Sequence, residues 1–428
     1  MSTAAVYLDH AASTPWRDVA RAAYLETIGL GAANASGAHR AARRARALVD
    51  DAREALAGVL GVDAGDVVFT SGGTEADNLA VLGRHAAVGG RVLCSAVEHP
   101  AVLEAVDEVG GKVVGTDARG VIDLDQLAAV LDDDVTLVSV MTVNNEVGSL
   151  QPVAEVAELV RRRAANALVH TDAVQALNWI DLRDVSPHVD LLSISAHKFG
   201  GPHGVGACVV RSGSAVRPRH VGGGQERERR SGTLNVAGIV AMAAAAVECD
   251  AGRGAEVERV GALRDDLVAR IVAGVPDAIR SGVVDGASEH LAAGFAHVCF
   301  EGVDSEALLF LLDDAGVAAS AASACASGAQ HPSHVLAAMG VDRSTAQGSL
   351  RLSLGHTTTA TDVERAAAAV VAAVTRRPPR VPGARCRRRH DEAVGRRERL
   401  GLLLGLRRRR CPSRRPAAGY RPPRVQLR

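Results

Sequence analysis

Lys198 is one of two lysines in this chain, the other being Lys112, although Lys and Arg together number 49. Basic charge is otherwise carried by arginine, whose guanidinium does not condense with an aldehyde. A lysine amine does, and partial burial favours the neutral, nucleophilic form. Lys198 closes the run LLSISAHK from Leu191, where an apolar, β-like stretch gives way to the glycine-rich turn FGGPHGVG. A strand end beside small, flexible residues suits an amine that carries an aldehyde cofactor.

Polar residues recur at the ends of other strand-like runs. Glu98 and His99 follow Arg91 to Val97; Asn144, Asn145 and Glu146 follow Val135 to Val143; Asp172 and Gln175 follow Ala167 to Thr171; Ser195 and His197 flank the run that ends in Lys198. Upstream, Val67 to Thr70 reads as a strand, Ser71-Gly72-Gly73-Thr74 as a tight turn and Glu75 to Leu82 as a helix. Glycines let a phosphate approach the backbone, Thr74 offers a hydroxyl, and a helix N-terminus presents unpaired N–H groups. Pyridoxal 5'-phosphate matches this set. Lys198 would take its aldehyde and Asp172 would keep the ring nitrogen protonated. His99 would stack on the ring and Gln175 would donate to the phenolic oxygen. Gly73, Thr74, Ser195 and His197 would take the phosphate.

Holding these residues together calls for an α/β domain. Helical patterns (Ala101 to Val109, Leu124 to Leu131, Val153 to Arg163) alternate with the strands, which predicts a mostly parallel sheet with ligands at the carboxyl ends of its strands. Ala38 to Leu60 has helical spacing and stops at Gly61. Ala207 to Arg211 reads as an antiparallel strand. A helix from Val236 to Cys249 and a second from Glu256 to Ala273 are expected to lead into a smaller domain. That domain mixes strands (His297 to Phe300, Arg351 to Leu354) with helices (Ser305 to Ala315, Thr361 to Val374), for which Ser305 and Asp362 are the expected N-caps. The expected division is a large domain at 18–252, a small one from 1–17 with 253–375, and a tail at 376–428.

Seven cysteines, odd in number and without a C-x-x-C pair, argue against a disulfide framework and a zinc site. Cys94, Cys208 and Cys299 sit in apolar strands and read as packing residues. Cys325 lies in Gly316 to His334, a run of almost entirely small residues expected to be a mobile loop, so exposure and reactivity are expected of its thiol. His331 and His334 read as loop and cap residues, and no metal is expected. No basic, apolar leader opens the chain and no 18 apolar residues run together, so a cytoplasmic protein without a membrane span is expected.

The formal net charge of zero hides two compositions. Residues 376–428 hold 19 Arg against 3 acidic residues, so of the totals of 49 and 49, residues 1–375 keep 30 basic and 46 acidic. The tail, with one apolar patch at Leu400 to Leu406, is expected to be disordered. It is read as a passive or artefactual extension, with nucleic-acid binding through its arginines as the alternative.

In order along the chain stand YLDHAASTP, SGGTEADN, EHP, VNNEVGSLQP, HTDAVQA, SAHKFGGPHGVG, GGGQE with RSGT, SACASG with PSHVL, and RLSLG. Together they resemble the cysteine desulfurases of the NifS/IscS-like group, class-V aminotransferases of pyridoxal-phosphate fold type I, from about Tyr7 to Val374. The resemblance implies a large domain with a seven-stranded, mostly parallel sheet and a smaller α+β domain. It implies that Lys198 binds the cofactor and moves the substrate α-proton, helped by His99 as acid or base, and that Asn145 and Arg351 bind the carboxylate of L-cysteine. Cys325 would attack the substrate sulfur, leaving alanine and an enzyme persulfide for a sulfur-acceptor protein of iron–sulfur cluster assembly or tRNA thiolation. Thr233 would reach the cofactor phosphate of a neighbouring subunit, which implies a homodimer. Gly73 departs from the family's alanine, a change that a backbone ligand tolerates. A selenocysteine lyase or another enzyme of this fold, and a non-catalytic nucleic-acid-binding protein, are the other readings.

Overall fold

A computed structural model describes residues 5–31, 33–283, 290–321 and 333–376. Its strands in chain order are β1 (Val6–Tyr7), β2 (Val67–Thr70), β3 (Arg91–Ser95), β4 (Lys112–Val114), β5 (Val135–Ser139), β6 (Leu168–Asp172), β7 (Leu191–Ser195), β8 (Gly206–Val210), β9 (Ile279–Arg280), β10 (Phe295–Cys299), β11 (Val317–Ala318) and β12 (Ser349–Ser353). Seven of them form one sheet in the order β2-β8-β7-β6-β5-β3-β4. The neighbours from β7 to β4 are parallel, and β8 is antiparallel to both β7 and β2. Every residue of β2, β7 and β8 is buried. That is why these runs are continuous rather than alternating in character: both faces of the sheet are covered. Since β8 alone runs against the others, the carboxyl ends of β2, β3, β5, β6 and β7 share one edge.

The helices are α1 (Asp18–Gly29), α2 (Arg40–Leu60), α3 (Gly73–Val88), α4 (Pro100–Glu108), α5 (Leu124–Val130), α6 (Val153–Arg163), α7 (Leu182–Val185), α8 (Val236–Gly274), α9 (Ser305–Asp314), α10 (His334–Ala338), α11 (Arg343–Ala346) and α12 (Ala360–Thr375). As expected, α2 stops at Gly61, which is left-handed at φ +66°. Side chains of α3 and α4 (Leu79, Val102) pack on one face of the large sheet with Val92 and Leu137. Those of α2, α6 and α8 (Leu56, Val156, Ile239) pack on the other with Phe69, Val138 and Ile194. A separate three-stranded antiparallel sheet, β12-β10-β9, packs with the far half of α8, α9 and α12 around Val260, Leu267, Leu308 and Val363.

Three sequence expectations need correction here. The two helices expected at Val236 to Cys249 and Glu256 to Ala273 are one 39-residue helix, α8. Gly252 and Gly254 do not break it: Arg253 bridges Asp250 at 2.8 Å and Asp181 at 3.0 Å, and packing on both sides outweighs about 1 kcal/mol of propensity per glycine. The cap of α9 is Asp304, accepting from the Ala307 N–H at 2.9 Å, while the Ser305 hydroxyl donates to the Gln347 and Ser349 carbonyls. The cap of α12 is Thr359; Asp362 completes a reciprocal pair three residues on.

Gly72 and Gly206 fix the turn between β2 and α3. Gly72 sits at φ +153°, and a Cβ on Gly206 would lie 2.6 Å from the Ile194 carbonyl oxygen and 2.7 Å from Gly72 Cα. Backbone meets backbone there, so nothing can rotate aside. Gly206→Ala is expected to destabilise the protein by about 2 to 4 kcal/mol, measured by urea unfolding; a change below about 0.5 kcal/mol would show that the turn has room.

Candidate active site

The shared sheet edge opens into a cleft of ≈ 390 Å³, lined by Gly73, Thr74, His99, Asn145, Asp172, Gln175, Ser195, His197, Lys198 and Arg351 together with Asp9, Ala11, Ala12, Asp77, Met141, Val174 and Ser320. Ten of the twelve residues singled out in the sequence therefore meet in one place. Thr233 does not: it is exposed and lines a different groove with Ile28, Leu30 and Leu48. Cys325 lies outside the described residues, as do His331 and the tail beyond Arg376.

Lys198 ends a short 3₁₀ turn directly after β7. Its Nζ donates to the Ala11 and Ala12 carbonyls at 2.6 and 3.0 Å, so the segment before α1 holds the amine in place. Gln175 Nε2 donates to the same Ala11 carbonyl at 2.8 Å. Asp172 closes β6, is buried, and accepts from the Val174 N–H at 2.9 Å. Burial raises its carboxyl to about 6, opposed by that hydrogen bond and by the Lys198 charge.

Burial also lowers the His99 imidazole to about 4, with the nearby Lys198 and His334 acting in the same direction. His99 caps α4, its Nδ1 accepting from the Ala101 N–H at 3.1 Å. The neutral ring thus carries its proton on Nε2. His197 lies 3.4 Å from the Ser13 hydroxyl and against the ring of His203, and burial lowers its pKa to about 4.

The sequence reading missed several groups. Asp9 binds Arg351 Nη2 at 2.9 Å, while Nη1 donates to the Asn145 carbonyl at 2.8 Å and Nε is buried without a partner. The signal was a charged residue directly after the apolar Val6-Tyr7-Leu8. Asp77, one turn into α3 from Gly73, is buried; its Oδ1 has no hydrogen bond and lies 3.7 Å from His170 Nε2, and burial and then Asp172 raise its pKa well above the usual range. His334 does not cap its helix: Ser333 caps α10, and His334 Nε2 instead bonds the Glu98 carbonyl at 2.9 Å.

The residues present fit pyridoxal phosphate. Asp172 is a buried carboxyl in the cleft wall, a partner of the kind that a protonated ring nitrogen would take. The turn before α3 is kept bare, since even at Gly73 a Cβ would meet Val174 Cγ2 at 2.8 Å. That contact bears on the departure from alanine at this position: here the backbone is open to a phosphate and a side chain is crowded.

A family model for class-V aminotransferases matches residues 6–366. The chain belongs to that family. An IscS-like cysteine desulfurase of Mycobacterium tuberculosis is 42% identical over 387 residues, covering 86% of this chain and 96% of the relative. A cysteine desulfurase of Gluconacetobacter diazotrophicus is 40% identical over 370 residues, covering 84% and 91%. Among solved structures, a NifS-like protein matches with a TM-score of 0.80 at 34% identity, covering 87% of this chain and 100% of that one. SspA in complex with cysteine matches at 0.70 and 28%, covering 82% and 98%. Within the class-V aminotransferases this chain is thus a cysteine desulfurase of the NifS/IscS-like kind, in a pyridoxal-phosphate-dependent family of fold type I.

Asp172 offers a test that needs no cofactor. Its folded-state pKa of about 6 lies above the unfolded value near ~3.9. Its contribution to stability is therefore fully present below the unfolded value and is lost as pH rises through about 6. Cofactor-free Asp172→Asn is expected to exceed wild type in stability at pH ~8 by something on the order of 2 to 3 kcal/mol, with the gap closing below pH ~4. Urea unfolding across that range checks this; parallel curves for the two proteins would mean that Asp172 is not strained as an anion.

Proposed function

We propose that this cysteine desulfurase converts L-cysteine to L-alanine with sulfur passed to Cys325. The observation that carries the reading is the convergence of Lys198, Asp172, His99 and Arg351 on one cleft at the sheet edge. When bound, pyridoxal phosphate supplies an aldehyde for the substrate amine and a protonated ring that draws electron density from the substrate α-carbon. Lys198 would hold it, with Asp172 at the ring nitrogen, His99 against the ring, Gln175 at the phenolic oxygen, and Gly73, Thr74, Ser195 and His197 at the phosphate.

Arg351 and Asn145 bind the substrate carboxylate. Arg351 already stands at the cleft wall with its guanidinium oriented by Asp9 and by the Asn145 carbonyl, and a carboxylate matches that fork. A solved structural neighbour was determined in complex with cysteine, which supports this substrate class. Lys198 moves the α-proton. His99 serves as a neutral Nε2–H donor, its low pKa keeping it uncharged near pH 7. The Cys325 thiolate attacks the substrate sulfur; the S–S bond forms as the carbon–sulfur bond breaks, the bonding pair stays with the substrate carbon, and protonation there yields alanine. The persulfide then serves a sulfur-acceptor protein, of iron–sulfur cluster assembly as the name IscS of several relatives suggests, or of tRNA thiolation.

The same reading includes a homodimer, in which Thr233 reaches the partner's phosphate, and a cytoplasmic location. The apolar residues Ile28 and Leu30, 52% and 37% exposed beside Thr233, support such self-association. It also includes the division into 18–252 and 1–17 with 253–375, in keeping with separate apolar clusters at the two sheets. Among the described residues no helix is long and apolar enough to cross a membrane. The test is an absorption spectrum of the purified protein followed by alanine and sulfide release from cysteine. A visible cofactor band with equal amounts of the two products is expected; a colourless protein inert after addition of pyridoxal phosphate would overturn the reading.

A further inference from the structure

We propose that Arg230 is a positioning residue for the phosphate end of the cofactor site, acting by neutralising Glu75. The inference rests on the pyridoxal-phosphate reading and deepens it. Glu75 is the third residue of α3, the helix whose first residues, Gly73 and Thr74, line the cleft. Its Oε2 accepts from the Ser71 N–H at 2.7 Å, which takes one backbone donor of the turn out of reach of a phosphate. A carboxylate in a first turn is stabilised by the helix dipole, but here it competes with a phosphate for the same positive potential. Two anions in one partly desolvated place repel.

Arg230 removes that conflict. Its Nε and Nη2 meet Glu75 at 2.7 and 3.2 Å, with side-chain exposures of 19% and 10%. His220 Nδ1 lies 3.4 Å from the same carboxylate, on a side chain 58% exposed, and is the other group of potential positive charge facing it among the described residues. Arg230 also lines a small cavity of ≈ 70 Å³ beside Ser71, outside the main cleft.

The backbone that delivers Arg230 is strained, and the strain has a visible anchor. Glu226, Arg227 and Glu228 have φ of +50°, +56° and +65°, a region that side chains other than Gly rarely adopt. Glu226 is buried, binds Arg53 through both oxygens at 2.8 and 2.7 Å, and accepts from the Phe69 N–H at 2.7 Å. Arg53 in turn donates to the Val67 carbonyl at 2.6 Å. β2 is an edge strand, and this ion pair satisfies its outward-facing backbone groups as a neighbouring strand would. The segment 224–233 is thus fastened to β2, which leads into the turn, and to Glu75, which follows it.

The experiment uses the full chain freed of cofactor and measures dissociation constants for pyridoxal phosphate and for pyridoxal, which lacks the phosphate. For Arg230→Met, binding of pyridoxal phosphate is expected to weaken by about 10- to 100-fold while pyridoxal changes by less than about threefold. In Glu75→Gln with Arg230→Met the repulsion is gone, and affinity should return to within about threefold of wild type. A double variant as weak as the single one would overturn the inference, since Arg230 would then act on the phosphate or the scaffold directly. Equal losses for both ligands would overturn it as well. Wild-type protein that binds pyridoxal but gains nothing from the phosphate would sink the phosphate-site reading itself, and this inference with it.

Discussion

Lys198→Ala is expected to abolish sulfide release from cysteine, by about 10⁴-fold or more. Two functions are lost in one substitution. The amine that attaches the cofactor is removed, and so is the base that shuttles the substrate α-proton; no other lysine is near, since Lys112 lies at the start of β4, on the outermost strand of the sheet. Folding should survive. The Nζ bonds to the Ala11 and Ala12 carbonyls are worth about 1 to 3 kcal/mol together, less than the stability of an ordinary domain. Lys198→Arg is the sharper variant, because it keeps a cation in the cleft yet cannot condense with an aldehyde. Reduction of wild-type holoprotein with borohydride should fix the cofactor mass on the peptide containing Lys198, and should fix none in either variant. Retained turnover in Lys198→Arg would end the assignment.

What the sequence made legible follows from how local each signal was. The strands were readable because the sheet is buried on both faces, so Val67 to Thr70 and Leu191 to Ser195 are mostly apolar, and each gives way to small and polar residues at the edge where the cleft lies. Lys198, Asp172 and His99 were readable for the same reason: a functional side chain at a strand end stands out against the run before it. The single helix α8 was not readable, because its glycines look like a stop in one dimension and the bridge from Arg253 to Asp181 comes from a distant part of the chain. Nor were the pairings Arg351 with Asp9 or Arg230 with Glu75, which join residues 342 and 155 positions apart. Each partner alone is an ordinary charged residue, and only the fold makes a pair of them. The caps show the finest limit: Ser305 and Asp362 are capping types at the right place, and the residues used are Asp304 and Thr359, one and three positions earlier.

Cys325→Ser is expected to keep the cofactor and its visible band while losing sulfide release by about 10³-fold or more. The other described cysteines do not offer a substitute. Cys94, Cys208, Cys249 and Cys299 are buried, and burial raises each thiol above its ordinary value, Cys249 to about 11, which keeps the nucleophilic thiolate out of reach. Chain geometry favours Cys325. Ser320 lines the cleft and pairs with Arg351 through both backbone groups, at 3.2 and 2.7 Å. Beyond 322–332, Ser333 bonds the buried Glu146 and His334 bonds the Glu98 carbonyl, next to His99. The described residues on both sides of the stretch that contains Cys325 are therefore tied to active-site residues or to their immediate neighbours in the chain, Ser320 to Arg351 and His334 to the carbonyl that precedes His99. Cys386 and Cys411 belong to the tail, so truncation after Arg376 is the control: it should leave sulfide release within about twofold of wild type. Loss of activity on truncation, with Cys325→Ser still active, would move the sulfur-accepting thiol to the tail and overturn the place given to Cys325.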